Sequence, residues 1–226
     1  MDDSWTYTPP VGLPTVLHHD RDMVVIDKPS GLLSVPGRAV KHKDSAESRL
    51  RAQLGTVYPA HRLDLDTSGV LVFATRRKAE RELFRQFRER LVQKTYLAMV
   101  SGCMKHDTGL IDLPLRRLET TPRSVVCHAN GRPARTRYRV RYRTPQRTCV
   151  ELYPETGRSH QLRIHLLSLA HPILGDRFYA PARIVDAAPR LMLHAWKLTV
   201  QHPFSGQPLT LEAPPPFAIH PPEGPS

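Results

Sequence analysis

HRLDLDTSGVLVFA, His61 to Ala74, is the densest polar cluster in the chain and runs straight into an unbroken apolar run. Val70 to Ala74 is short and wholly apolar, which predicts a buried strand. Ahead of it, an extended entry would place Arg62, Asp64 and Asp66 on one face and Leu63 and Leu65 on the other. Thr67-Ser68-Gly69 then turns the chain into the strand. An arginine beside a carboxylate holds it in place. At this level the cluster suits either a structural ion pair with a turn or a catalytic carboxylate.

Outward from this stretch, strands and helices mix. Met23 to Asp27 is an apolar run stopped by Lys28-Pro29-Ser30-Gly31, which predicts a strand and then a turn. Arg76 to Leu91 has helical spacing, with Ala79, Leu83, Phe84, Phe87 and Leu91 on one stripe. Thr95 to Val100 returns to strand. Arg137 to Arg143 alternates strictly, so its arginines share one face, and Thr148 to Tyr153 is its expected hairpin partner. Ser159 is a candidate cap for a helix to about Ala170, with Leu162, Leu166 and Leu169 inward. Leu191 to Val200 and Pro208 to Glu212 are expected strands joined across Phe204-Ser205-Gly206. The prolines before Leu17 imply an extended arm, and those from Pro214 onward a loose or surface-draped tail. Strands dominate with few helices between them, which favours an α+β domain on a largely antiparallel sheet.

Composition narrows the partner. Lys and Arg number 33 against 21 Asp and Glu, a net charge of +12, and the pI is near 10.1. Such a surplus attracts polyanions, nucleic acid first among them. Cys103, Cys127 and Cys149 are far apart and form no CxxC pair, so neither a zinc ribbon nor a disulfide framework is expected. The acidic start and the lack of a membrane-length apolar run predict a cytoplasmic protein with no membrane partner. No P-loop, GxGxxG, HExxH, GxSxG or zinc-deaminase pattern is present. The chemistry is therefore left to ordinary side chains.

Two further clusters stand out. Glu155 to Leu166 (ETGRSHQLRIHL) puts Arg158 and Ser159 at a helix start, where free N–H groups favour a phosphate. Arg163 falls near the edge of that helix's buried stripe, where a charge is expensive unless paired. Gln93-Lys94-Thr95-Tyr96 opens a strand, and a strand tyrosine is ordinarily a packing residue. Arg135 to Arg143 and the helix from Arg76 are either phosphate tracks or solvated faces.

Taken together, HRLDLDTSGVLVFA, QKTYLAMV (93–100), ETGRSHQLRIHL (155–166), HPILGDRFY (171–179) and RLMLHAWKLTVQHP (190–203) resemble, in order and spacing, the RluA family of pseudouridine synthases. The resemblance covers about Met23 to Pro214. It implies one α+β catalytic domain, residues 1–213, with a mixed, largely antiparallel sheet and a central basic cleft. No S4-like RNA-binding module fits, and 214–226 is the tail. By the same resemblance Asp64 matches the essential aspartate, Tyr96 the tyrosine that packs on the target base, and Arg163 the basic residue paired with the aspartate. Arg62 matches an arginine that fills the gap left by the flipped uridine. His61, Arg158 and His160 join it as expected RNA contacts. Asp66 falls where the family pattern leaves the residue open. The implied reaction needs no cofactor and no metal. The implied substrates are a tRNA anticodon stem-loop and a loop of large-subunit ribosomal RNA, with no obligate protein partner. A single-site synthase, a non-catalytic RNA-binding protein and a glycoside hydrolase using Asp64 and Asp66 are the rival readings.

Overall fold

The computed structural model describes residues 6–221. The outermost parts of the expected arm and tail, 1–5 and 222–226, lie outside them. In chain order, β1 (Thr15–His19) and β2 (Met23–Lys28) precede α1 (Ala46–Leu54), β3 (Tyr58–Pro59), β4 (Ser68–Ala74), α2 (Arg77–Arg88) and β5 (Gln93–Ser101). Then come β6 (Thr108–Asp112), β7 (Leu115–Arg117), β8 (Ser124–Val126), β9 (Arg135–Arg143) and β10 (Arg147–Pro154). The chain ends through α3 (Gln161–Ser168), α4 (Ala182–Val185), β11 (Leu193–Gln201) and β12 (Pro208–Glu212). Strands far outnumber helices, as the α+β class requires. The described residues form two compact units, 6–94 with 195–214 and 95–194 with 215–221. The chain passes from one to the other within β5 and within β11.

In the first unit β2 pairs antiparallel with β1 and with β4, and β11 pairs with β12. Met23 and Val25 on β2 meet Val70, Val72 and Ala74 on β4 in one core, which Ala79 and Leu83 of α2 cover. Leu83 is fully buried, so its truncation to Ala costs about 2–5 kcal/mol. The apolar stripe is narrower than the sequence predicts. Phe84 and Leu91 are exposed, and the buried position between them belongs to Gln86. Its amide donates to the Gln201 carbonyl at 2.8 Å and accepts the Gln201 N–H at 2.9 Å. A polar residue thus completes a strand's hydrogen bonding, a role that helical periodicity does not encode. Gly69, the second residue of β4, has φ 111°, and a Cβ there would lie 2.2 Å from the Ala195 carbonyl oxygen. Only glycine fits.

In the second unit β10 pairs antiparallel with both β5 and β9, and β9 with β6. Ala98, Val100, Val150 and Leu152 face Leu162 and Leu166 of α3. The helix starts later than expected and Ser159 does not cap it. His160 occupies the cap position at φ 55°, and no side-chain cap bond forms. The Arg158 N–H is taken by the Gln161 side chain at 3.0 Å. Leu169 lies beyond the last turn and is exposed. The arginines of β9 do alternate, but Arg135, Arg137, Arg139, Arg141 and Arg143 pair with Asp112, Glu155, Glu151 or Asp107. The face is a salt-bridged lattice. The proline-rich tail is docked: Phe217 and Ile219 pack beside Met99, Tyr142 and Leu174, and the Tyr142 hydroxyl donates to the Ala218 carbonyl at 3.1 Å.

Candidate active site

The polar loop of the first unit is built from its backbone outward. The chain does not enter β4 as an extended segment. The Thr67 N–H donates to the Asp64 carbonyl at 3.2 Å, closing a turn over Leu65 and Asp66. The alternate-residue spacing that would pair Asp64 with Asp66 on one strand face is therefore absent. Every carbonyl from Leu63 to Asp66 accepts a bond. Leu63 O takes the Ser34 hydroxyl at 2.8 Å, while the Leu63 N–H donates back to that oxygen at 3.0 Å. Leu65 O takes the Gly31 N–H at 3.0 Å and the Lys28 ammonium at 2.9 Å. Asp66 O takes the Ser30 hydroxyl at 2.7 Å.

Those partners come from one short segment, Lys28 to Ser34, which follows β2. Lys28 is completely buried. Its Nζ also donates to the Pro29 carbonyl at 2.9 Å and the Leu32 carbonyl at 2.7 Å. A buried ammonium is tolerated when its protons are all directed at acceptors. The turn predicted at Lys28-Pro29-Ser30-Gly31 is thus the clamp of the Asp64 loop, a link that local sequence spacing does not show. Asp64 is half-buried and Arg62 exposed beside it.

His61 anchors the same loop from the other side. Its Nε2 accepts the Val72 N–H at 3.2 Å, and its ring stacks on Phe87 at 4.7 Å between centroids. Burial, with the nearby Lys94 charge, pushes its pKa down to about 3. The ring is neutral and its lone pair is spent on β4. Lys94 in turn is pulled down to about 8 by burial and by Arg90.

The second unit holds the other predicted residues. Arg163 on α3 is buried and forms a two-bond ion pair with buried Asp176: Nε to Oδ2 at 2.8 Å and Nη2 to Oδ1 at 2.5 Å. Its guanidinium also lies 5.0 Å from the Phe178 ring and 5.1 Å from the Tyr179 ring. His160 reaches the Tyr179 hydroxyl through Nδ1 at 2.7 Å. Arg158 donates to the Pro133 carbonyl at 3.1 Å. Tyr96 is half-buried on β5, packed beside the core that α3 covers. The structure therefore joins Arg163 and His160 to the Asp176–Tyr179 stretch. Asp176 is the residue that the sequence reading passed over, although it stands in the quoted HPILGDRFY segment.

Among the described residues one group has metal-ligand types close together, Asp20, Asp22 and His202. Its atoms are committed internally. Asp20 accepts the Asp22 and Met23 N–H groups and contacts His18 and His202, and Asp22 pairs with Arg76 at 3.2 Å. The three cysteines are free thiols, as their spacing implied. No helix of the described residues is long and apolar enough to cross a membrane.

A family model described as RNA pseudouridylate synthase matches residues 22–168. The chain is 50% identical over 215 residues to the dual-specificity RNA pseudouridine synthase RluA of Pasteurella multocida, covering 94% of this chain and 98% of that one. It is 50% identical over 204 residues to the protein of the same name from Escherichia coli strain K12, covering 89% and 93%. Among solved structures, human RNA pseudouridylate synthase domain containing 1 superposes with a TM-score of 0.75 at 27% identity, over 96% of this chain and 88% of that one. An aspartate loop clamped at every carbonyl, on a chain matched along most of its length, leads to one conclusion: this protein belongs to the RNA pseudouridine synthases.

Proposed function

We propose that this enzyme isomerises uridine to pseudouridine in two RNAs, a tRNA anticodon stem-loop and a stem-loop of large-subunit ribosomal RNA. The carrying observation is the likeness, 50% identity over 94% of the chain, to a synthase named for dual specificity. By motif position Asp64 is the catalytic carboxylate, Tyr96 packs on the target base, and Arg163 is the cation that the family pattern assigns to the aspartate. Arg62 fills the stack vacated by the flipped base, and His61, Arg158 and His160 border the RNA in a basic cleft. Residues 1–213 supply the catalytic domain and 214–226 its tail. The protein works in the cytoplasm without an obligate protein partner.

The reaction breaks the N1–C1′ bond of uridine, turns the base and rejoins it through C5. No atom is lost and no electron is gained, so neither cofactor nor metal is needed. Extruding the nucleotide costs roughly a few kcal/mol, less in a loop whose bases are already splayed. Asp64 then either attacks C1′ or takes a proton from C2′, and a loop held at four consecutive carbonyls keeps that carboxylate in register for either step. Tyr96 is placed by its motif to assist loss of the C5 proton.

The test offers purified protein a minimal anticodon stem-loop and a minimal ribosomal stem-loop, each unmodified. Pseudouridine forms in both. Product in one alone reduces the enzyme to a single-site synthase. Free uracil would point to a glycosidic hydrolase, and binding without product to a non-catalytic RNA-binding protein.

A further inference from the structure

The arginines of α2 and of the turn that closes it divide into two kinds. Arg77 pairs with Glu80 at 2.9 Å, Arg85 with Glu82 and Glu89 at 2.7 Å, and Arg88 with Glu89 at 3.1 Å. Among the described residues Arg81, exposed on the helix, has no carboxylate partner, and neither does Arg90, just beyond the helix end. Its neighbour Glu89 cannot serve, because one of its oxygens goes to Arg85 and the other to Arg88. Arg90 is also held where arginine is a poor choice. It follows the helix cap at φ 60°, its N–H donating to the Phe87 carbonyl at 3.3 Å and the Leu91 N–H to the Gln86 carbonyl at 2.9 Å. This pair of bonds is the Schellman closure, whose left-handed position glycine fills most comfortably. A long cation kept at a strained position, with no carboxylate among the described residues, points to a function rather than to stability.

Lys94, the second residue of β5, completes the pattern. It is half-buried, and neither a hydrogen bond nor an ion pair engages its ammonium among the described residues. Phe87, whose carbonyl takes the Arg90 N–H, stacks its ring on His61 at 4.7 Å, so the end of α2 meets the start of the Asp64 loop, and the Lys94 charge acts on both Arg90 and His61. His61 stands three residues before Asp64. Two uncompensated cations therefore flank the start of the loop that carries the catalytic carboxylate. Within one compact unit, this is positive charge assembled without an internal anion, which is costly unless an external anion completes it.

We infer that Lys94 and Arg90 form a phosphate site for the RNA substrate, holding a backbone phosphodiester beside the Asp64 loop. This rests on the synthase reading and adds to it the residues that position the strand. A diester carries one negative charge with two exposed oxygens, matching one ammonium and one guanidinium. The site reads no base, so it raises affinity alike for both substrate stem-loops.

The experiment measures binding of an unmodified anticodon stem-loop by Lys94→Gln, Arg90→Gly, Lys94→Arg and Arg77→Gln over a salt series, with turnover recorded in parallel. Lys94→Gln and Arg90→Gly each weaken binding about three- to tenfold near physiological salt and flatten the log–log salt slope by about 0.7–0.9. Lys94→Arg restores most of both, and the paired Arg77→Gln matches wild type. Arg90→Gly melts at or above the wild-type temperature, which separates lost binding from lost folding. Wild-type slopes in both Lys94→Gln and Arg90→Gly would overturn the site. Because slopes are read from binding, absence of product from wild type would instead sink the catalytic reading and leave the phosphate site to be decided by its own measurement.

Discussion

The ammonium of Lys28 donates to the carbonyl of Leu65 at 2.9 Å, so a residue at the end of β2 holds the residue that follows Asp64. The two are 37 residues apart in sequence. This buried bond, with the hydroxyls of Ser30 and Ser34, converts the turn after β2 into the support of the Asp64 loop.

Lys28→Met preserves the stem and removes the charge. It leaves the Pro29 and Leu32 carbonyls without this donor, each costing about 1–3 kcal/mol where no water reaches, while the Leu65 carbonyl keeps the Gly31 N–H. Stability falls by about 2–6 kcal/mol in denaturant unfolding, and single-turnover isomerisation slows even under conditions where the variant remains folded. A variant with wild-type stability and rate would show the clamp to be dispensable.

Asp64→Asn abolishes isomerisation while RNA affinity stays within about threefold of wild type, because phosphate contacts supply most of the affinity. Asp66→Asn retains most activity, since Asp66 stands within the turn at a position that the family pattern leaves open. Turnover by the Asp64 variant, or equal losses in both, would refute the assignment.

Arg163 and Asp176 are tested as a pair. Removing either strands a buried charge, so Arg163→Met and Asp176→Asn each cost about 3–5 kcal/mol. The double variant loses clearly less than their sum, and a coupling of at least about 1–2 kcal/mol is expected for neighbours of this kind. Additive losses would mean that the two side chains do not depend on each other.

Two groups in the first unit set opposite limbs of the pH–stability curve. Lys94 titrates near 8 in the folded chain against an ordinary 10.5. Between those values the unfolded chain holds the extra proton, so stability rises with pH across that window. Lys94→Met erases the rise and stabilises the protein at pH 7 by about 1–3 kcal/mol. His61 is held down to about 3 from 6.5. Below 6.5 the unfolded chain takes up a proton that the folded one refuses, so stability falls toward pH 3. His61→Gln flattens that slope by one proton, whatever it does to stability at neutral pH. Unchanged slopes would contradict the burial of these groups.

Turnover survives exhaustive chelation, because moving one glycosidic bond within one nucleotide calls for no Lewis acid. Loss of activity in EDTA, restored by a divalent ion while the RNA stays folded, would oppose this.

Local order along the chain was legible before any coordinates. Apolar runs at strand spacing located β2 and β4, and strict alternation located β9 with its partner β10, since each pattern is read from adjacent residues. Motif position singled out Asp64, Tyr96 and Arg163. The α2 stripe was overextended at Phe84 and Leu91 because the real occupant of the core, Gln86, is polar and is satisfied by Gln201, far away in sequence. The same cause moved the start of α3, where Gln161 rather than Ser159 takes the loose N–H.

By itself, then, the sequence determined the α+β class, the surplus of positive charge and the family, all of which follow from periodicity, composition and the wording of short motifs. Tertiary structure alone decided what each polar group is paired with. It turned the Asp64 entry from an extended segment into a clamped turn, gave Arg163 the carboxylate of Asp176, and paired the arginines of β9 while giving Arg90 and Lys94 no carboxylate among the described residues. The physical reason is that hydrogen bonds and ion pairs are satisfied across space. Which arginine remains available to a phosphate depends on carboxylates delivered by other strands, and no local pattern records that delivery.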